Sequence, residues 1–211
     1  MIILSHRGCW KNDFEKNSLL AFELSFKSGF GTELDVRDYC GKLVVSHDIP
    51  SSDSIEFVKF LDIYSQYGEK LLLAINIKSC GLQELLVEQL KQYHITNYFV
   101  FDMSVPDAIV YLQFQMKIFT RESEFEESPS FYNEADGVWM DEFNSSWITP
   151  TKIINHLKQN KKVCIVSPEL HKKEHLSRWK IYKDIPKNIL NEGNLMLCTD
   201  YPEQAREYFY D

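Results

Sequence analysis

Short runs of aliphatic and β-branched residues alternate along this chain with longer stretches whose apolar residues recur at helical spacing. The runs predict strands at Ile2–Ser5, Thr32–Arg37, Leu71–Ile77, Tyr98–Phe101, Lys117–Thr120, Gly137–Asp141, Val163–Ser167 and Leu195–Cys198. Between them the spacing predicts helices over Ser18–Ser28, Ile55–Tyr67, Leu82–Tyr93, Val105–Phe114, Thr149–Asn160, His175–Ile185 and Pro202–Tyr208. One further short helix is expected inside the longer stretch Ser123–Asn133. Local signals support these boundaries. Ser18 can cap the first helix, Gly29 or Gly31 can end it, and Thr149 before Pro150 offers a cap followed by proline at the first helical position. Leu43-Val44-Val45, after Asp38-Tyr39-Cys40-Gly41-Lys42, reads as a hairpin arm on the second strand.

Continuous apolar strands alternating with helices are the rhythm of a parallel sheet covered on both faces. Eight strands with about eight helices favour an α/β fold of one domain over residues 1–211, a compact (β/α)8 TIM barrel. An open doubly wound sheet gives the same rhythm with fewer strands. The 211 residues fall near the lower end of the range for such barrels, so little decoration is expected.

Composition adds exclusions. With 44% hydrophobic and 26% charged residues the chain is ordinary for a globular protein. Its formal charge of −8 argues against non-specific nucleic-acid binding, which needs basic surface, but not against a small anionic ligand in a locally cationic cleft. The five cysteines (Cys9, Cys40, Cys80, Cys164, Cys198) are scattered and form no Cys-x-x-Cys pair, so buried reduced thiols are expected. The first residues are already needed as a strand, and no apolar run approaches membrane-spanning length. A soluble cytoplasmic protein without membrane attachment is the expectation.

Candidate chemistry gathers where predicted strands end. Glu33 and Asp35, one residue apart in a strand, point the same way. Two carboxylates facing one interior repel and are costly to desolvate, and a divalent cation would resolve both problems, with all-oxygen ligation suited to Mg²⁺ or Ca²⁺. The plain alternative is a strand end with two solvated acids. His6 ends the first strand and His47 follows the hairpin, a natural general acid and base near neutral pH. Arg7 offers a bidentate donor for phosphate oxygens, and Gly8 permits close backbone approach. Asn76 and Lys78 repeat the i, i+2 spacing on the third strand, either as ligand and phosphate-binding cation or as polar residues of the rim.

In order along the chain, these segments resemble the glycerophosphodiester phosphodiesterase family, within the wider group of phosphatidylinositol-phospholipase-C-like barrels. His6-Arg7-Gly8 matches an opening H-R-G, and Lys16-Asn17-Ser18-Leu19-Leu20-Ala21-Phe22 is similar to E-N-T-x-x-A-F. Glu33-Leu34-Asp35-Val36 and Val44-Val45-Ser46-His47-Asp48 match E-x-D-V and V-x-x-H-D, and Thr199-Asp200-Tyr201-Pro202 matches T-D-x-P. The resemblance implies a metal-dependent phosphoric diester hydrolase with one divalent ion. By position it implies His6 and His47 as catalytic groups, Glu33 and Asp35 as metal ligands, and Arg7 and Lys78 as phosphate-binding residues. A small water-soluble diester is the expected substrate, without nucleic-acid or membrane partners.

Two departures matter. Asn76 stands where the family usually has a third acidic ligand, so Asn76 is expected in the metal shell through its amide oxygen, with weaker metal binding. Asp141 is a possible replacement acid. The family's insertion after the H-D motif is reduced to Ile49-Pro50-Ser51-Ser52-Asp53-Ser54, and the Ser167–Glu174 excursion, with Trp139, is the candidate for substrate selection. Cyclising phosphotransfer and a non-catalytic phosphate-binding barrel remain alternatives at this stage.

Overall fold

The structure, a computed structural model, describes residues 1–67 and 70–210. Contacts divide it into two compact units, Ser5–Ile118 and Met1–Leu4 with Phe119–Asp211, the boundary falling inside strand β1 (Ile2–His6).

The Ser5–Ile118 unit is built around β2 (Gly31–Tyr39), β5 (Leu73–Ile77) and β6 (Tyr98–Phe101), which pair in parallel. Every residue of β5 is buried, as a strand covered on both faces requires. The expected hairpin is present. β3 (Lys42–Val45) runs antiparallel to β2, and the two-residue turn between Tyr39 and Lys42 places Cys40 and Gly41 at φ of 49° and 77°. Positive φ at both central positions matches the right-handed twist of the flanking strands. A two-residue strand, β4 (Ile55–Glu56), then pairs with β3 before helix α2 (Phe57–Tyr67) begins.

Helix α1 (Leu19–Lys27) starts as the sequence predicts, with the Ser18 hydroxyl accepting from the Ala21 amide at 3.2 Å. Gly29, at φ 77°, follows its C-cap; Gly31 belongs to β2. The buried residues of α2 (Phe57, Phe60, Leu61, Tyr64) recur at the period of one helical face. They meet α1 through an aromatic cluster: Phe22 and Phe60 stack edge-on at 4.8 Å, Phe26 and Tyr64 at 5.4 Å. This packing fixes α1 and hence the loop between β1 and α1, which carries several of the polar residues described below. Helices α3 (Gln83–Gln92) and α4 (Val105–Gln113) follow β5 and β6.

In the other unit β7 (Phe119–Glu122), β8 (Gly137–Met140), β9 (Lys162–Val166) and β10 (Leu195–Thr199) pair in parallel in that order. Helices α5 (Pro150–Lys158), α6 (Leu176–Lys183), α7 (Lys187–Asn191) and α8 (Pro202–Tyr210) connect or follow them. The Thr149 hydroxyl caps α5 as expected. The stretch 123–133 holds no helix. It is a turn region pinned by a bridge between Ser123 and Glu126 and by the Arg121–Glu126 ion pair. Glu124 accepts the amides of Phe143, Asn144 and Ser145, tying this turn to the loop after β8. The thiols also differ from expectation: Cys164 and Cys198 are buried, but Cys40 and Cys80 are exposed. Among the described residues no helix is long and apolar enough to cross a membrane.

Candidate active site

The candidate residues of the first half of the chain lie in the Ser5–Ile118 unit, and strand geometry brings most of them together. Glu33 and Asp35 on β2 are fully buried, at 1% and 0% exposure. Parallel pairing sets Asp35 opposite Asn76 of β5, and Lys78 follows directly, its amide donating to the Val36 carbonyl at 3.0 Å. Exposed solvated acids, the plain alternative for Glu33 and Asp35, are excluded.

Arg7 reaches the same place from the end of β1. Its Nε lies 2.8 Å from Asp35 Oδ2, while its backbone amide faces the Glu33 carbonyl at 3.0 Å and Glu33 Oε2 at 3.2 Å. The turn that makes this possible is left-handed at Arg7 and Gly8, with φ of 58° and 87°. A side chain at Gly8 would also meet the Ala21 backbone at 2.6 Å. Gly8→Ala is therefore expected to lower stability by about 1–3 kcal/mol and to displace Arg7, read as a lower thermal midpoint with loss of turnover.

Lys78 Nζ lies 3.4 Å from Asp35 Oδ1, so Asp35 faces two cations. Burial alone would raise its carboxyl, but Arg7, Lys78, the Asn17 amide and His47 outweigh that and hold it below the usual carboxylate range. Glu33 differs. Burial, and then the charge of Asp35, push it up to about 8, and Arg7 and Lys78 offset that rise only in part. Of the two acids, Asp35 is thus the anion and Glu33 the carboxyl with a readily added proton.

His6 Nε2 stands 3.9 Å from Glu33 Oε2, and the His6 carbonyl accepts the Trp10 indole at 2.9 Å. His47 lies two residues beyond β3, its carbonyl accepting from Arg37 Nε at 3.1 Å and its Nδ1 bonded to Asp48 at 2.8 Å. Its ring is nearly half exposed and close enough to act electrostatically on Asp35.

The side chains here that could hold a hard cation are two carboxylates and an amide. Asp35 Oδ1 and Asn76 Oδ1 are buried and accept no hydrogen bond from the described residues. Acceptors buried without a donor are rare because desolvation is uncompensated, and a cation is one partner that satisfies both. No group of three or more His, Cys, Asp or Glu side chains is clustered for a metal among the described residues. The third oxygen of such a set would come from an amide.

Sequence reasoning missed Asn17. Its side chain donates to Asp35 Oδ2 at 2.8 Å across 18 positions of sequence, a relation that no local spacing reveals. Its signals in the sequence are its place beside the Ser18 cap and in the segment similar to E-N-T-x-x-A-F, neither of which assigns it a role at Asp35. Asp141 is engaged by His171 Nε2 at 2.6 Å, His171 closing a short 3-10 turn after β9, and Trp139 is buried.

No family model matches the sequence, and no curated protein matches it. Solved structures do. Glycerophosphodiester phosphodiesterase from Agrobacterium tumefaciens is 15% identical, with a TM-score of 0.67 over 99% of this chain and 98% of that one. An Oleispira antarctica phosphodiesterase, solved with the product sn-glycerol-3-phosphate, is 16% identical at a TM-score of 0.70 over 100% and 97%. Glycerophosphodiester phosphodiesterase from Thermotoga maritima is 16% identical at 0.62 over 98% of each chain. At this identity the likeness shows the fold, the (β/α)8 barrel, and sets aside the open doubly wound sheet. The barrel itself hosts many chemistries, so activity has to be argued from the site.

Proposed function

We propose that this chain is a metal-assisted phosphodiesterase that hydrolyses a small glycerophosphodiester-like substrate. The observation that carries the proposal is the paired, buried Oδ1 atoms of Asp35 and Asn76, without hydrogen-bond donors, flanked by Glu33, Arg7 and Lys78. Anion-binding cations beside unsatisfied hard oxygens suit a phosphate ester held against a divalent ion. The motif order along the sequence and the fold shared with phosphodiesterases point the same way.

Glu33, Asp35 and Asn76 would hold one Mg²⁺ or Ca²⁺ ion. When bound, the ion would supply Lewis-acid polarisation of a non-bridging phosphate oxygen. Arg7 and Lys78 orient the phosphate and stabilise the charge that develops on it. Of His6 and His47, one accepts the proton of the attacking water and the other protonates the departing alkoxide. Asp48 holds His47 Nδ1, which leaves Nε2 for substrate. Exposed thiols at Cys40 and Cys80 suit a reducing compartment, in keeping with a cytoplasmic enzyme acting on a soluble diester.

The test follows turnover of glycerophosphodiesters against metal concentration. Chelator should silence the wild type, and Mg²⁺ or Ca²⁺ should restore it. Asn76→Glu should lower the half-saturating metal concentration about tenfold, because a charged oxygen replaces a neutral one beside a bound dication. An unchanged metal dependence would remove Asn76 from the ligand set, and turnover in excess chelator would refute metal assistance.

A further inference from the structure

The Lys16-Asn17-Ser18 segment has a role that the proposed chemistry leaves unassigned. Asn17 is left-handed, with φ of 60°, a conformation in which asparagine is among the few tolerated side chains. Its backbone amide donates to the Arg7 carbonyl at 3.0 Å, closing the loop that begins at Arg7. Its side chain then turns onto Asp35. Nδ2 donates to Oδ2 at 2.8 Å, and Oδ1 faces the Asp35 backbone amide at 3.5 Å. Ser18 immediately afterwards caps α1, so the helix anchors the residue from the other side.

We infer that Asn17 is a positioning residue for Asp35: with Arg7 it occupies Oδ2 and so leaves Oδ1 as the oxygen presented beside Asn76. Both partners of Oδ2, Arg7 Nε and Asn17 Nδ2, lie at 2.8 Å, while Oδ1 has Lys78 at 3.4 Å and accepts no hydrogen bond from the described residues. A carboxylate held by one side alone can rotate about its terminal torsion, which is broad and roughly two-fold. The Asn17 hydrogen bond and the Arg7 charge, both fixed on one oxygen, remove that freedom. Neither a metal ligand nor a group that touches the reacting atoms, Asn17 acts through Asp35.

The inference rests on the site reading above, and its test separates the two. Asn17→Gly keeps the left-handed backbone and deletes the amide, whereas Asn17→Ala perturbs both. Apparent Mn²⁺ affinity, from the metal dependence of the thermal midpoint, should fall about 10–100-fold in Asn17→Gly, with kcat falling and KM little changed. Wild-type metal response and kcat in Asn17→Gly would overturn the inference. If the wild type neither binds Mn²⁺ nor turns over diester, the site reading fails on its own. Urea unfolding of Asn17→Gly, Asp35→Asn and the double variant then decides the positioning role: non-additive losses support it, and strictly additive losses refute it.

Discussion

Asp35→Asn is expected to lower kcat by about 10²–10³-fold and to lower folding stability by about 3 kcal/mol. Two cations, Arg7 and Lys78, are arranged around a carboxylate that is completely buried, and their side chains are only 18% and 20% exposed. Removing the charge leaves both without their counter-ion, and an uncompensated cation away from water is the expensive half of a broken pair. The residual solvation of the two cations keeps the loss near the low end of the range for such pairs. Urea unfolding and steady-state kinetics measure the two effects separately.

Glu33→Gln, two residues away, should behave in the opposite sense for stability. A carboxyl held at about 8 in the folded chain, against 4.5 ordinarily, retains a proton that the unfolded chain gives up. Between those values the folded state binds more protons than the unfolded state. Metal-free stability should therefore fall as pH rises through that window, and Glu33→Gln should flatten the fall while still losing activity. A pH series of unfolding curves in chelator decides it; an unchanged slope in the variant would show that Glu33 is ionised throughout.

The second large effect belongs to the histidines. His6→Ala and His47→Ala should each reduce kcat by about 10²–10⁴-fold, the range for loss of a general acid or base, with thermal midpoints close to wild type. The double variant should lose less than the product of the two, because the groups act in one proton transfer sequence. His47 is the more informative residue, since its half-exposed ring takes little part in packing.

Much of the fold was legible because parallel strands covered on both faces leave uninterrupted apolar runs. Tyr98–Phe101 matches the observed strand residue for residue, and the Cys40-Gly41 turn announces its hairpin. The errors have physical causes. The apolar run puts strand β7 two residues early because Glu122, which ends it, reads as surface; it is buried and paired with His156 at 2.7 Å and Lys152 at 3.3 Å. Ile55 and Glu56 merge with the following helix in the periodicity, although they pair with β3. The short helix expected inside 123–133 is absent, because capping of another loop by Glu124 decides that region.

In the site, i, i+2 spacing was enough to place Glu33 with Asp35 and Asn76 with Lys78 on strand faces. It could not show that Asp35 is the anion while Glu33 is raised, because that asymmetry comes from where Arg7, Lys78 and Asn17 end up. Nor could it reveal the unsatisfied oxygen of Asn76, which depends on what the neighbouring strand brings opposite.

The most direct test is a phosphorus NMR time course of purified wild-type protein with a glycerophosphodiester and Mg²⁺ or Ca²⁺, run beside His6→Ala. The account predicts that the diester resonance converts to a phosphate monoester in the wild type and persists in the variant. Conversion at equal rates in both, or a diester that survives in both, would contradict it.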